Sequence, residues 1–113
     1  MKTISASKVS THLQKELEKN VTAGTNQENK YAIDEVINNI EMFSGQELDP
    51  GNDPVSVGKL RQEYWLDPIH IEDEYAKDAG IDPNSDSFID ALGQARETAV
   101  NVLDTYDQDA LLN

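Results

Sequence analysis

Residues 82–112 read DPNSDSFIDALGQARETAVNVLDTYDQDALL, and this stretch decides the fold. Set out at 100° per residue, Phe88, Leu92, Ala95, Ala99, Val102, Leu103 and Tyr106 fall on one side, and Asp86, Asp90, Glu97, Asn101 and Asp104 fall opposite. The pattern predicts a long C-terminal amphipathic helix with a dry face and an acidic face. Such a helix is stabilised mainly by burial and only weakly by propensity, so the dry face requires other helices to pack on. Arg96 is the one basic residue of the stretch and lies toward the flank, which leaves the acidic face almost without neutralising charge.

Upstream segments supply the partners. Ser5 or Ser7 can cap a helix in which Val9, Leu13, Leu17 and Val21 recur every four residues. Thr25 stands three residues before Glu28, the spacing of a capping box, and a second helix follows with Ala32, Ile33, Val36, Ile37, Ile40 and Phe43 on one face and Gly45 suited to its end. Residues 44–52 then mix polar residues, glycines and Pro50, a turn inside one domain. Each of the four prolines follows an aspartate, and Asp53-Pro54, Asp67-Pro68 and Asp82-Pro83 read as helix starts, with Asp accepting a free amide and Pro lacking one. The third helix is expected over 54–66, with Val57, Leu60 and Tyr64 inward and Gly58 a weak spot worth about 1 kcal/mol. A short, acidic fourth is expected over 68–79, with Ile71, Tyr75 and Ala79 inward and Gly80 ending it. No stretch alternates well enough to predict a strand. The expected fold is all-α, a compact bundle of four or five helices forming a single domain over 1–113, a length that buries about 65% of the unfolded chain's surface.

The opening residues 1–7, MKTISAS, resemble the start of prevent-host-death antitoxins, in which a short strand leads into a helix. That family continues with a glycine-led, β-branched strand pair, whereas residues 22–30 here are polar, so the family's properties are not carried over.

Charge is the strongest compositional signal. The formal net charge is -13, and it is unevenly placed: five lysines face three glutamates in residues 1–30, whereas four basic groups face 19 acidic ones in residues 31–113. Such a surface repels nucleic acid and anionic membranes and favours a basic partner, although surplus acid can also serve solubility alone. The chain lacks an apolar run of membrane-spanning length, a signal-like N-terminal core and any cysteine, which together set cytoplasmic as the expected location.

Enzymatic signatures are sparse, and no catalytic residue, metal or cofactor is expected. His12 lies beside the apolar stripe of the first helix. His70 has Asp67 and Glu74 at helical spacing, yet no second histidine-bearing motif completes a metal site. No phosphate-cradling glycine loop, nucleophile elbow or paired Glu-x-x-Glu clamp occurs; Asp104-x-x-Asp107 is the single acidic pair at that spacing. Asp82-x-Asn84-x-Asp86-x-Phe88-Ile89-Asp90 matches the oxygen-donor positions of a calcium loop through its ninth place, but Ser87 stands where the turn needs glycine and Gly93 where a closing glutamate belongs. The alternative is an acidic first turn favoured by the helix dipole.

Binding is where the residues cluster. Glu72, Asp73, Glu74, Asp78, Asp82, Asp86, Asp90, Glu97 and Asp104 form the candidate partner-binding set, with Trp65 as a possible apolar anchor or, alternatively, a residue packed under a loop. If the fourth helix packs beside the last, their charges join into one nucleic-acid-like surface. The expected function is therefore a small acidic binding protein rather than an enzyme. Acting as a monomer or homodimer, it would be an inhibitor or decoy that occupies the basic, nucleic-acid-binding surface of a partner protein, without touching nucleic acid or membrane itself. It is similar in charge and size to the mimics by which phages and mobile elements disarm restriction or CRISPR systems. The alternative is a structural or assembly protein, such as a virion or secretion-system component forming helical oligomers through its apolar faces.

Overall fold

The first three helices begin where a side chain replaces a missing backbone partner. In the computed structural model, which describes residues 2–43, 56–66 and 73–112, the Ser5 hydroxyl accepts the Lys8 amide at 3.3 Å and opens α1 (Ala6–Asn20). Ahead of it lies β1 (Thr3–Ile4), a strand leading into a helix. The capping box forms as its spacing predicts: the Glu28 amide donates to Thr25 Oγ1 at 3.2 Å and the Thr25 amide to Glu28 Oε1 at 2.9 Å, opening α2 (Asn26–Phe43).

The Asp-Pro starts are corrected where they can be seen. Helix α3 (Val57–Leu66) is opened by Ser56, whose hydroxyl accepts the Lys59 amide at 3.1 Å. Helix α5 (Asp86–Leu103) has Ser85 at its cap position, because the Asp82 carboxylate is already engaged by the Asn84 amide at 3.0 Å in a preceding turn. The other two starts, Asp53-Pro54 and Asp67-Pro68, lie outside the described residues, as do Gly45 and His70; α4 (Asp73–Asp78) is the described part of the fourth helix. Gly80 closes α4 as expected, at φ 77, with the Ile81 amide donating to the Ala76 carbonyl at 2.8 Å and the Gly80 amide to Lys77 at 2.9 Å.

The long C-terminal helix is shorter than its periodicity implies. It ends at Leu103, and its last carbonyls are taken by side chains: Thr105 Oγ1 donates to Val102 at 2.7 Å and Gln108 Nε2 to Leu103 at 2.8 Å. The chain then turns, and β2 (Leu111–Leu112) pairs in parallel with β1, Thr3 opposite Leu111 and Ile4 opposite Leu112. This strand pair corrects the expectation of no strand. Two-residue strands are too short to show alternation, and the pairing joins opposite ends of the chain. The same segment also receives the start of α3, through Val57 N to the Ala110 carbonyl and Gly58 N to the Gln108 carbonyl, both at 2.9 Å. Gly58 is thus a point of close approach, since a Cβ there would stand 3.0 Å from that Gln108 oxygen.

The fold is an all-α bundle in which α5 lies against α1, α2 and α3, and α1 against α2. Val9, Leu13, Leu17, Val36, Ile40, Leu60, Ala95, Ala99 and Leu103 are fully buried between them, so the sequence stripes are the core. A smaller cluster of Ala76, Ile81 and Phe88, with Tyr31 beside it, joins the end of α4 to the start of α5. Among the described residues no helix is long and apolar enough to cross a membrane.

Glu28 ties the starts of α2 and α5 together, because its carboxylate also accepts the Ser87 hydroxyl at 2.8 Å. The Thr25 amide first and Ser87 second hold its pKa below the ordinary 4.5, against the opposing pull of burial. A depressed carboxylate stabilises the fold fully above its unfolded pKa and loses that contribution as pH falls through the folded value. Glu28→Gln is therefore expected to lower Tm at neutral pH, with the deficit shrinking as melts are repeated down through about pH 4 and below. Glu35 works in the opposite sense, raised by burial and then by Asp34, so the native protein should be compared with the single variant at each pH. A deficit that stayed constant from neutral pH to strong acid would contradict the Glu28 linkage.

Candidate functional site

Burial of Ala91, Ala95, Ala99 and Val102 fixes the rotation of α5, and that rotation turns Asp86, Asp90, Glu97 and Asp104 outward, all exposed. At 100° per residue they lie within about 40° of one another, on a line about 27 Å long. Asp78, at the end of α4, and Asp82, in the following turn, are also exposed.

The chain's own cations neutralise only one end of this surface. Asp104 forms an ion pair with Arg61 of α3, and Asp107, beyond the helix, is paired with Lys2 at 2.8 Å. That pair lowers the Asp107 pKa, chiefly through the Lys2 hydrogen bond, and raises that of Lys2. Among the described residues, Asp78, Asp82, Asp86, Asp90 and Glu97 make no ion pair, and no lysine of α1 reaches an α5 carboxylate. Asp86 in the first turn is favoured by the helix dipole.

The conjecture that α4 runs beside α5 is corrected. Among the described residues, α4 meets α5 at the N-terminal end of α5, where Ala76 and Ile81 pack on Phe88, and not along its length. Asp78 and Asp82 therefore extend the acidic surface past the start of α5 and do not double its density. Asp73 and Glu74 open α4, Trp65 is the penultimate residue of α3, and Glu72 lies outside the described residues.

Calcium-loop geometry is also replaced by helix. From Asp86 onward the segment is α-helical, so Asp86 and Asp90 stand one turn apart on an outer face and do not converge with Asp82. Among the described residues no three His, Asp or Glu side chains are grouped to hold a metal.

Comparisons with family models, curated proteins and solved structures find no match for this chain.

Several residues on that surface escaped sequence reasoning. Ile89 is 51% exposed on α5, next to the carboxylate line, with Gly93 one turn further on. The signal was available as an isoleucine and a glycine off the dry face, but the calcium spacing absorbed both. Gln94 accepts the Thr22 and Ala23 amides at 2.8 and 2.9 Å, pinning the α1–α2 connection against α5. His12 Nδ1 lies 2.6 Å from Tyr106 Oη, where burial raises the phenol's pKa. This hydrogen bond, whose donor is set by the imidazole tautomer, ties α1 to the turn after α5. This pair borders an open polar groove of about 570 Å³ that includes Glu16, Glu97 and Thr98.

Proposed function

We propose that this protein is a small acidic binding protein, not an enzyme, that docks against the basic, nucleic-acid-binding surface of a partner protein and competes there with phosphates. The observation that carries the proposal is the line of Asp86, Asp90 and Glu97, exposed on one rigid helix face, unpaired among the described residues and continued by Asp78 and Asp82. A fixed row of carboxylates meets Lys and Arg without first being ordered, which favours association and raises its rate at low salt.

Charge spacing limits the footprint. Asp86 to Glu97 spans about 17 Å of helix, along which duplex DNA would carry on the order of ten charges against three here. The surface therefore answers a short basic segment, a recognition helix or arm, better than a long duplex-binding channel. The assembly alternative needs apolar faces left over for other copies, and among the described residues Ile89 is the one large apolar side chain exposed.

The test is competition. A basic protein captured by the immobilised chain at low salt is expected to be released as salt rises, and also by duplex DNA added at constant salt. Capture that persists through high salt, or that DNA leaves untouched, would overturn the proposal.

A further inference from the structure

The glycines among the described residues divide into those the fold requires and one it does not. A Cβ at Gly24 would stand 2.8 Å from Glu28 Cβ, one at Gly58 would meet the Gln108 carbonyl at 3.0 Å, and Gly80 holds φ 77. Gly93 has none of these reasons. It lies in the interior of α5 without a positive φ, and nothing stands within 4 Å of where its Cβ would be. Glycine is among the poorest residues for a helix interior, and here no contact inside the chain explains it. What a missing side chain offers at an open position is close approach from outside.

Around Gly93 the surface is an open depression of about 790 Å³ formed with Ala23, Ile89, Asp90, Arg96, Glu97 and Val100. By helical phase Ile89 lies about 60° to one side of Asp86, beside the carboxylate line, while Val100, 5% exposed, belongs to the core beneath the depression. Ile89 is half exposed. We propose that this depression seats one amphipathic basic helix of the partner, its apolar side chains on Ile89 and Gly93 and its lysines or arginines against Asp86, Asp90 and Glu97. Helix-in-groove recognition of this kind draws affinity from the apolar anchor and orientation from the flanking charge. The three carboxylates Asp86, Asp90 and Glu97 outnumber Arg96 at this place, so charge favours a basic occupant over a second copy of the chain, which would bring more like charges together than opposite ones. The inference rests on the proposed function and adds the chemistry of the segment bound.

The probe is a synthetic heptad peptide of leucine and lysine, titrated at low salt by fluorescence anisotropy and mapped by backbone amide shifts. It is run beside a peptide with serine for leucine and one with glutamate for lysine. The leucine–lysine peptide is expected to bind and to shift amides around residues 89–97. Gly93→Leu, which fills the depression, and Ile89→Ser, which removes the anchor, should each weaken it about tenfold, the effect of losing part of one buried aliphatic side chain. Gly93→Ala should raise the Tm of the free protein by about 4 °C while weakening the peptide, so stability and binding move in opposite directions. Equal binding of the serine–lysine peptide, or unchanged affinity in both Gly93→Leu and Ile89→Ser, would overturn the seat and leave the acidic surface standing. Failure of both basic peptides to bind would overturn the seat and the proposed function together. Concentration-dependent dimerisation abolished by Gly93→Leu would assign the depression to a second copy and overturn the inference.

Discussion

Changing Asp78, Asp86 and Asp90 to Asn and Glu97 to Gln in one variant is expected to abolish binding to a basic partner and leave the helical spectrum intact. All four side chains are exposed, and none forms an ion pair with a described residue, so the fold loses no internal partner. Helix α5 gives up the favourable interaction of Asp86 with its dipole, about 0.3–1 kcal/mol, and gains from reduced repulsion within a chain of net charge -13. Binding has no such compensation. At roughly 1 kcal/mol per contact, a value that allows for solvent screening, four lost contacts amount to about a thousandfold in affinity. The measurement is a pair of titrations, native and variant, against one basic protein over a range of salt. The native affinity should fall with salt, and the variant should be weak throughout. Equal affinities, or equal salt slopes, would remove the acidic face from the interaction.

Phe88→Ala is the substitution expected to cost the fold most, about 3–5 kcal/mol. Phe88 is 1% exposed, packs with Ala76 and Ile81, and meets the Tyr31 ring edge-on at 6.0 Å between centroids. Its truncation leaves a cavity at the junction of α2, α4 and α5, where Ala76 and Ala79 are too small to fill it. A domain of this size holds only about 5–15 kcal/mol in total, so the variant should unfold at markedly lower urea. Amide exchange should show α4 losing protection first, because this cluster is its attachment to α5. A loss below about 1 kcal/mol, with α4 protection unchanged, would mean that the end of α4 is held some other way.

Local chemistry was legible in the sequence wherever both partners lie within a few residues. Thr25 and Glu28 are three apart and form their capping box; Gly80 closes α4; Val9, Leu13 and Leu17 share a face because the helical repeat places them there. The outward turn of Asp86, Asp90 and Glu97 follows from the same periodicity once the dry face of α5 is buried. The end of that helix was not legible. No glycine or proline follows Leu103, and its termination depends on the Gln108 and Thr105 side chains capturing the last carbonyls while Leu111 and Leu112 pair with the first residues of the chain. Asp82-Pro83 misled for a related reason, since the Asp82 carboxylate accepts the Asn84 amide in a turn and Ser85 takes the cap position.

Periodicity and charge alone determined which faces are dry, which are acidic and that the chain forms a helical bundle, because those properties depend on neighbours at i+3 and i+4. Tertiary structure decided where α5 stops, that α4 meets it end-on and that Gly93 lies over open space while Gly58 lies under the Gln108 carbonyl. The pairing of Thr3 with Leu111 and the approach of Gly58 to Gln108 join groups tens of residues apart in the chain, whose meeting is set by the packing of the whole core and leaves no local pattern behind.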